Sequence, residues 1–376
     1  MSKKIIILGG GLVGSTIAVE LSKQYTVTVV DIDQKTLDKL KRCFGIDVNR
    51  CDVTDRKKLE KILTDADLVV GAVPGHLGFE LIKKVIDCGK NMVDISFFPE
   101  DPFELHERAK QKKVTVAIDC GIAPGVSNMI VGYHNASMKV DKYECMVGGL
   151  PFIREWPWEY KAVFSPSDVI EEYVRPARFV ENGQQITKLA LSDPELVEFK
   201  KIGTLEAWNS DGLRTLLKTT HVPNMIEKTL RYPGTIEYLK VLRESGFFSH
   251  QEIEVKGMKV KPIDVTTQLL LPLWELKHGE EDFTIMKASV YGSLNHVPVG
   301  YEYLIYDQFD AKSGIHSMAR TTGYTCTAVC DLFLNTPIEK KGLLPPEEIA
   351  AHKESFVKIM NHLESHGIEV TVTRLY

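Results

Sequence analysis

Between residues 4 and 120, short β-branched runs alternate with stretches whose apolar residues recur every three to four positions. Few folds satisfy that rhythm, because strands joined by crossover helices lie parallel and both faces of their sheet must be covered. The runs predict six strands, over Lys4–Leu8, Thr26–Val30, Ile46–Arg50, Leu68–Ala72, Asn91–Ile95 and Val114–Ile118. Leu12, Val13, Ile17, Ala18 and Leu21 share one helical face, as do Leu77, Leu81, Ile82, Val85 and Ile86. The expected fold class is α/β, a doubly wound parallel (Rossmann) sheet with a second α+β domain.

The rhythm changes after Pro124-Gly125. Strands are expected over Tyr143–Val147, Thr284–Val290 and Tyr301–Tyr306, in a sheet read as antiparallel. Helices are expected over Ser167–Tyr173, Thr235–Glu244 and Val265–Leu276. Helical patterning returns over Thr321–Leu334 and Lys353–Ser365, followed by a strand at Ile368–Val372. The domain reading is therefore 1–125 for dinucleotide binding, 126–316 for substrate and dimer contacts, and 317–376 returning to the first domain.

A chain of 376 residues, 44% apolar and 26% charged, has ordinary globular usage and no apolar run of the ~18–20 residues that a membrane span needs. Its net charge of −5 offers no basic footprint, so a small-molecule partner is expected rather than nucleic acid or membrane. Met1-Ser2-Lys3-Lys4 precedes an apolar run too short for a signal-peptide core, which points to the cytoplasm. Seven scattered cysteines contain no Cys-x-x-Cys pair and no zinc-type spacing, so they read as reduced and structural, with no metal.

The strongest local signal is Gly9, Gly11 and Gly14, a G-x-G-x-x-G between a strand and a helix. Gly9 allows the tight turn, Gly11 lets the backbone approach a pyrophosphate, and Gly14 permits close helix–strand packing. The phosphates would meet the helix N-terminus at Leu12 and Val13, where N–H groups lack partners. Asp31, ending the second strand, can accept both ribose hydroxyls and would repel a 2′-phosphate. No Arg follows within ten residues, although Lys35 and Arg42 supply cations nearby, so NAD is the expected cofactor. Asp52 and Val53 fit the adenine edge, with Asp52 equally readable as a helix cap for the stretch from Asp55. Ala72 and Pro74 fall where the middle of the cofactor would cross the sheet edge. Asp94 and Asp119 end the fifth and sixth strands, where ligands of open α/β sheets bind, or else serve as structural turn acids.

Several segments together, Asp119-Cys120-Gly121-Ile122-Ala123-Pro124-Gly125, Val147 to Pro151, Gly203 to Trp208, Ser210 to Arg214, Thr229 to Gly234 and Ser317 to Tyr324, resemble the saccharopine dehydrogenase-like family over nearly the whole chain. Within that family they are similar above all to the lysine 6-dehydrogenases. The resemblance implies NAD-dependent oxidative deamination of L-lysine at its ε-carbon, giving 2-aminoadipate 6-semialdehyde, which cyclises. It also implies a homodimer and a C-terminal segment that rejoins the first domain. The alternatives are a saccharopine dehydrogenase or related opine or carboxynorspermidine-type reductase, and a nucleotide-binding protein without catalysis.

The chemistry can be set against the residues. An ammonium of reference pKa ~10.4 must lose a proton before its lone pair can form a C=N bond. Asp94 and Asp119 are candidate bases by location, and Glu206 or Asp211 from the second domain. The substrate carboxylate needs a guanidinium, from Arg214, Arg231 or Arg320. Arg320 is the first choice because it opens the helix that returns to the nucleotide domain, its other reading being an interdomain ion pair. Tyr160 and Lys161 lie in an aromatic loop suited to covering a site or to a dimer interface, while His134, His221 and His296 read as structural or exposed.

Overall fold

The structure, a computed structural model, describes residues 2–163, 166–277, 279–336 and 338–376. It divides into two compact units, Met1–Ala136 with Ala319–Gly367, and Ser137–Met318 with Ile368–Tyr376. In the first, β1 (Lys4–Leu8), β2 (Thr26–Asp31), β3 (Asp47–Arg50), β4 (Leu68–Gly71), β5 (Met92–Asp94) and β6 (Thr115–Ala117) alternate with helices. These are α1 (Leu12–Leu21), α2 (Gln34–Phe44), α3 (Arg56–Leu63), α4 (Gly75–Asp87) and α5 (His106–Gln111), with α6 (Val126–Asn135) after β6. The ends of α2 are written locally: the Asp33 carboxylate accepts the N–H of Lys35 and Thr36, and Gly45, at φ 68°, stops the helix in the left-handed region. Ile6, Leu8, Val30, Val69, Ile82 and Val116 sit in one buried cluster, as a sheet covered on both faces requires.

The second unit opens with β7 (Lys139–Pro151) and α7 (Pro166–Val174), then β8 (Ala177–Glu181), β9 (Gln184–Lys188), β10 (Glu195–Phe199) and β11 (Gly203–Asn209). After α8 (Leu216–Thr219) come β12 (Met225–Arg231), α9 (Thr235–Glu244), the hairpin β13 (Ile253–Val255) and β14 (Met258–Val260), and α10 (Pro262–Trp274). The long strands β15 (Asp282–Leu294) and β16 (Val297–Gln308) complete its main sheet up to the C-terminus. That sheet is mixed rather than antiparallel, because β12 runs parallel to β7 from Met225↔Tyr143 to Thr229↔Val147. The sequence reading missed β8 to β11, short strands rich in charged and polar residues whose alternation carries little signal. Trp208, Trp274, Tyr173, Phe283 and Tyr160 form an aromatic-rich core here.

The last elements are α11 (Ser317–Asn335), β17 (Gly342–Leu344), α12 (Pro346–Ala350), α13 (Lys353–Ser365) and β18 (Glu369–Arg374). β17 adds a seventh parallel strand, giving the order β17-β6-β5-β4-β1-β2-β3 in place of the six expected. Three residues are too few for any periodic signal. The segment expected to return entirely to the first domain does so as far as Gly367, beyond which β18 pairs with β16, Tyr301↔Arg374 to Tyr306↔Glu369. The β-branched Val370-Thr371-Val372-Thr373 suits an open sheet edge better than a solvated tail. Likewise α6 belongs to the first unit, whose boundary falls after Ala136 rather than Gly125. Among the described residues no helix is long and apolar enough to cross a membrane.

Candidate active site

The strand order places β1 between β2 and β4, so chain direction across the sheet reverses there and opens a crevice at the carboxyl edge. The glycines fill that turn. Gly9 has φ 106°, and a β-carbon on it would lie 2.2 Å from the Ala72 carbonyl oxygen. A β-carbon on Gly14 would lie 2.1 Å from the Gly9 carbonyl oxygen, so the helix packs directly on the strand end. Nothing lies within 4 Å of the corresponding position on Gly11, leaving this side open to a ligand. No side chain caps α1 at Gly11 and no acid stands in its first turn, so the N–H groups of Leu12, Val13 and Gly14 present the bare helix end that a pyrophosphate fits.

Asp31 reaches back to this loop. Its Oδ2 accepts the Gly10 N–H at 2.6 Å and its Oδ1 accepts the Asp33 N–H at 2.8 Å. Each oxygen retains a lone pair for a ribose hydroxyl. Arg50, which sequence reasoning passed over because it lies 19 positions along the chain, is paired in register with Asp31 across β2 and β3. Asp52 is exposed and accepts the Thr54 N–H at 2.8 Å, a bond that pulls its pKa below the ordinary value. The helix cap is not Asp52 but Asp55, whose carboxylate accepts the Lys58 N–H, while Val53 is buried in the core beside it. Ala72 donates its N–H to the Leu8 carbonyl at 2.8 Å, and Pro74 stands at the N-cap of α4, again without a side-chain cap.

Asp94 ends β5 and Asp119 lies two residues past β6, and the two segments are tied by the Cys120 N–H donating to the Asp94 carbonyl at 3.0 Å. Asp94 is fully buried. Its Oδ2 accepts both the N–H and the hydroxyl of Ser96, at 2.9 and 2.6 Å, and its Oδ1 faces Gly71, where a β-carbon would come within 2.0 Å. That is the turn-acid geometry. Asp119 has a different character, a buried acid with φ 54°. Of the ten non-glycine residues with positive φ among those described, the buried polar ones are Asp119 and Arg214, at φ 50°. Left-handed backbone in buried polar residues stores strain that functional sites characteristically hold.

The remaining candidates have structural engagements. Both oxygens of Asp211 receive the Arg178 guanidinium at 2.8 Å, a bidentate pair that removes Asp211 from the list of bases. Glu206 accepts the Gly234 N–H at 2.9 Å and fixes the approach to α9. Arg231 lies over the Tyr160 ring at 4.0 Å and donates to Glu172 at 2.8 Å, which makes it the centre of the aromatic core. Lys161 pairs with Glu280 and Glu155. Arg320 donates to the His366 carbonyl at 2.6 Å and lies over Tyr324, both within the first unit. Burial holds His134 near pKa 4, whereas His221 and His296 are exposed. Arg178 and Ser96 are the partners that the sequence reading did not name; an Asp-x-Ser turn was visible locally, but Arg178 and Asp211 are 33 positions apart.

Residues 5–117 match the family model of the saccharopine dehydrogenase NADP binding domain, and residues 121–368 that of the saccharopine dehydrogenase C-terminal domain. The first unit is thus a nicotinamide dinucleotide-binding domain. Alpha-aminoadipic semialdehyde synthase, mitochondrial, of Rattus norvegicus is 22% identical over 97% of this chain and 47% of its own length. Saccharopine dehydrogenase [NADP(+), L-glutamate-forming] of Pyricularia oryzae is 27% identical over 67% of this chain and 59% of its own. The chain therefore spans about half the length of these curated relatives. Among solved structures, apo saccharopine dehydrogenase (L-Glu forming) from Saccharomyces cerevisiae superposes with a TM-score of 0.79 over the full length of both chains, at 20% identity, and shares the fold.

Proposed function

The chain belongs to the saccharopine dehydrogenase family, and from that premise we propose a nicotinamide-dependent dehydrogenase that oxidises the C–N bond at the ε-nitrogen of a lysine-derived amino acid. The observation carrying this reading is the meeting, on one edge of one sheet, of the glycine cradle, Asp31, and the strand-end acids Asp94 and Asp119. The bound nicotinamide supplies a hydride acceptor. In the proposed arrangement Leu12 and Val13 hold the pyrophosphate, and Asp31 accepts the ribose hydroxyls and favours NAD.

Asp119 is the proposed base on its burial and left-handed backbone, while Asp94 accepts from Ser96 in the turn. Removing the ε-ammonium proton frees a lone pair, which forms the C=N bond as hydride leaves the ε-carbon; water then adds and the C–N bond breaks. Of the proposed carboxylate partners Arg320 and Arg214, Arg320 donates to the His366 carbonyl. Two substrates carry the required nitrogen. Saccharopine is supported by the names of the relatives, and it would release L-glutamate; free L-lysine is supported by the motif segments quoted above and would release ammonia. Each would leave 2-aminoadipate 6-semialdehyde.

A homodimer belongs to the same reading, supported by the exposed apolar side chains of Ile253, Val255 and Met258 on the hairpin and of Val265, Leu269 and Leu273 on α10. An isolated two-stranded hairpin is marginal in water unless something covers it. The experiment is an assay of reduced nicotinamide formed from saccharopine and from L-lysine, with glutamate and ammonia quantified. Turnover of one of them, with the matching nitrogen product, supports the proposal; cofactor binding without turnover of either amine overturns it in favour of a non-catalytic protein.

A further inference from the structure

The main sheet of the second unit stops on one side at β18, which pairs with β16 and with no other described strand. The pairing runs in unbroken register from Tyr301↔Arg374 to Tyr306↔Glu369, and the Leu375 N–H donates to the Gly300 carbonyl at 2.9 Å. Leu375 therefore turns its backbone toward β16, and by the alternation of an antiparallel ladder Thr373, Thr371 and Glu369 do the same. Val370, Val372 and Arg374 turn their N–H and C=O groups to the open side. Natural edges are guarded by charge, proline, bulges or brevity. β17 and β3 have three and four residues, β10 carries Glu195 and Glu198, and β9 carries Gln184, Gln185 and Lys188. β18 instead carries the uncharged β-branched run Val370-Thr371-Val372-Thr373. Its charges stand at its ends, where Lys201 pairs with Glu369 and Arg374 Nε donates to the Tyr376 carbonyl. Val372 is opposite Tyr303 and Val370 opposite Ile305; both partners are buried, yet Val372 is 50% exposed, so an apolar row runs out uncovered at the edge.

We propose that β18 pairs with β18 of a second copy of this chain, antiparallel about a two-fold axis at Val372, so that two sheets join into one. This goes beyond the preceding reading, since it uses neither the activity nor the hairpin. The occupant follows from register. Open-side residues must oppose open-side residues, and with Val372 opposite itself, Val370 of each copy opposes Arg374 of the other, each pair exchanging both N–H···O bonds. Between them Thr371 opposes Thr373, a favourable cross-strand pair, and Glu369 opposes Leu375, so no like charges meet. The two Val372 side chains close the apolar row that each copy leaves open. One segment thus supplies both halves of the contact, as an isologous interface requires. The exposed side chains of Leu375 and Tyr376 extend it beyond the strand.

The test is the mass of the full chain in solution, by light scattering and sedimentation over a range of concentrations, for the wild type, Val372→Pro and Val372→Lys. The Val372 N–H points away from β16, so proline there removes no bond within the chain, yet it deletes the central donor of both copies at once. Lysine places two ammonium groups across the axis. Each variant should weaken self-association at least about tenfold and halve the assembly mass at a concentration where the wild type is paired. Raising the salt should restore pairing to Val372→Lys, by screening the two charges, and not to Val372→Pro. Wild-type mass in both variants overturns the β18 pairing and leaves a dimer through the hairpin standing; a wild type with the mass of one chain overturns both. A loss of mass in Val372→Lys that salt does not reverse marks a damaged fold rather than opposed charges, and overturns the pairing too.

Discussion

At the scale of single residues, the account depends on positions where one atom decides. A methyl group at Gly14 would meet the Gly9 carbonyl oxygen at 2.1 Å, and backbone cannot swing aside as a side chain can. Gly14→Ala should therefore cost about 1–3 kcal/mol of stability and remove dinucleotide binding, read by melting and titration; wild-type values for both would contradict the cradle. Asp119 and Asp94 separate in the opposite sense. Asp119→Asn should lower kcat about 100-fold or more with NADH affinity unchanged, while Asp94→Asn, which disturbs the Ser96 turn, should lower the melting temperature first. Equal effects of the two on kcat and stability would return the base to an open choice. For Arg320, the bond to His366 predicts that Arg320→Ala loses melting temperature together with activity; a loss of kcat/KM alone would restore it as the carboxylate anchor.

At the scale of elements, α6 carries a buried histidine, His134, and α13 a half-buried one, His362, both held near pKa 4 chiefly by desolvation. A histidine whose folded pKa is depressed takes up its proton on unfolding, so stability falls as pH drops from about 6.5 toward 4. His366 has the opposite sign. The hydrogen bond to Glu20 raises its pKa, and the stability it contributes is complete below about 6.5 and lost as pH rises through its folded value. Burial pushes Glu20 up, but the hydrogen bonds from His366 and Lys23 outweigh it and hold it at about 2, so its contribution fades only between about 4.5 and 2. Thermal stability should peak near pH 6.5–7, and His134→Gln should flatten the acid limb by up to one proton, measured as melting temperature from pH 4.5 to 8. An unchanged limb would contradict the buried neutral histidine. The elements themselves were legible where the signal is local: β1 and α9 fall where periodicity put them, and the glycine turn is written within six residues. β17 was not legible because three residues, Gly342-Leu343-Leu344, acquire meaning only beside β6. The role of Asp211 was hidden for the same reason, since it is decided by a partner distant in sequence.

At the scale of the molecule, the chain leaves the first unit after Ala136 and re-enters it at Ala319 to supply α11, β17, α12 and α13. A chain ended near residue 315 would uncover the β6 edge and the apolar surface those helices bury, and should aggregate; a soluble fragment that binds dinucleotide would show the first sheet to be independent of its C-terminal part. The central claim, however, concerns one bond. Saccharopine and L-lysine differ in what the departing nitrogen carries, but in both the hydride must come from the same ε-carbon. The direct measurement is turnover of each substrate deuterated at that carbon, with mass analysis of the reduced nicotinamide. The account predicts deuterium on the nicotinamide ring from whichever substrate is oxidised, and glutamate or ammonia as the matching product. With both ε-hydrogens replaced by deuterium, one should pass to the nicotinamide and one remain on the aldehyde carbon; reduced nicotinamide without deuterium, or both atoms retained in the amino acid, would contradict it.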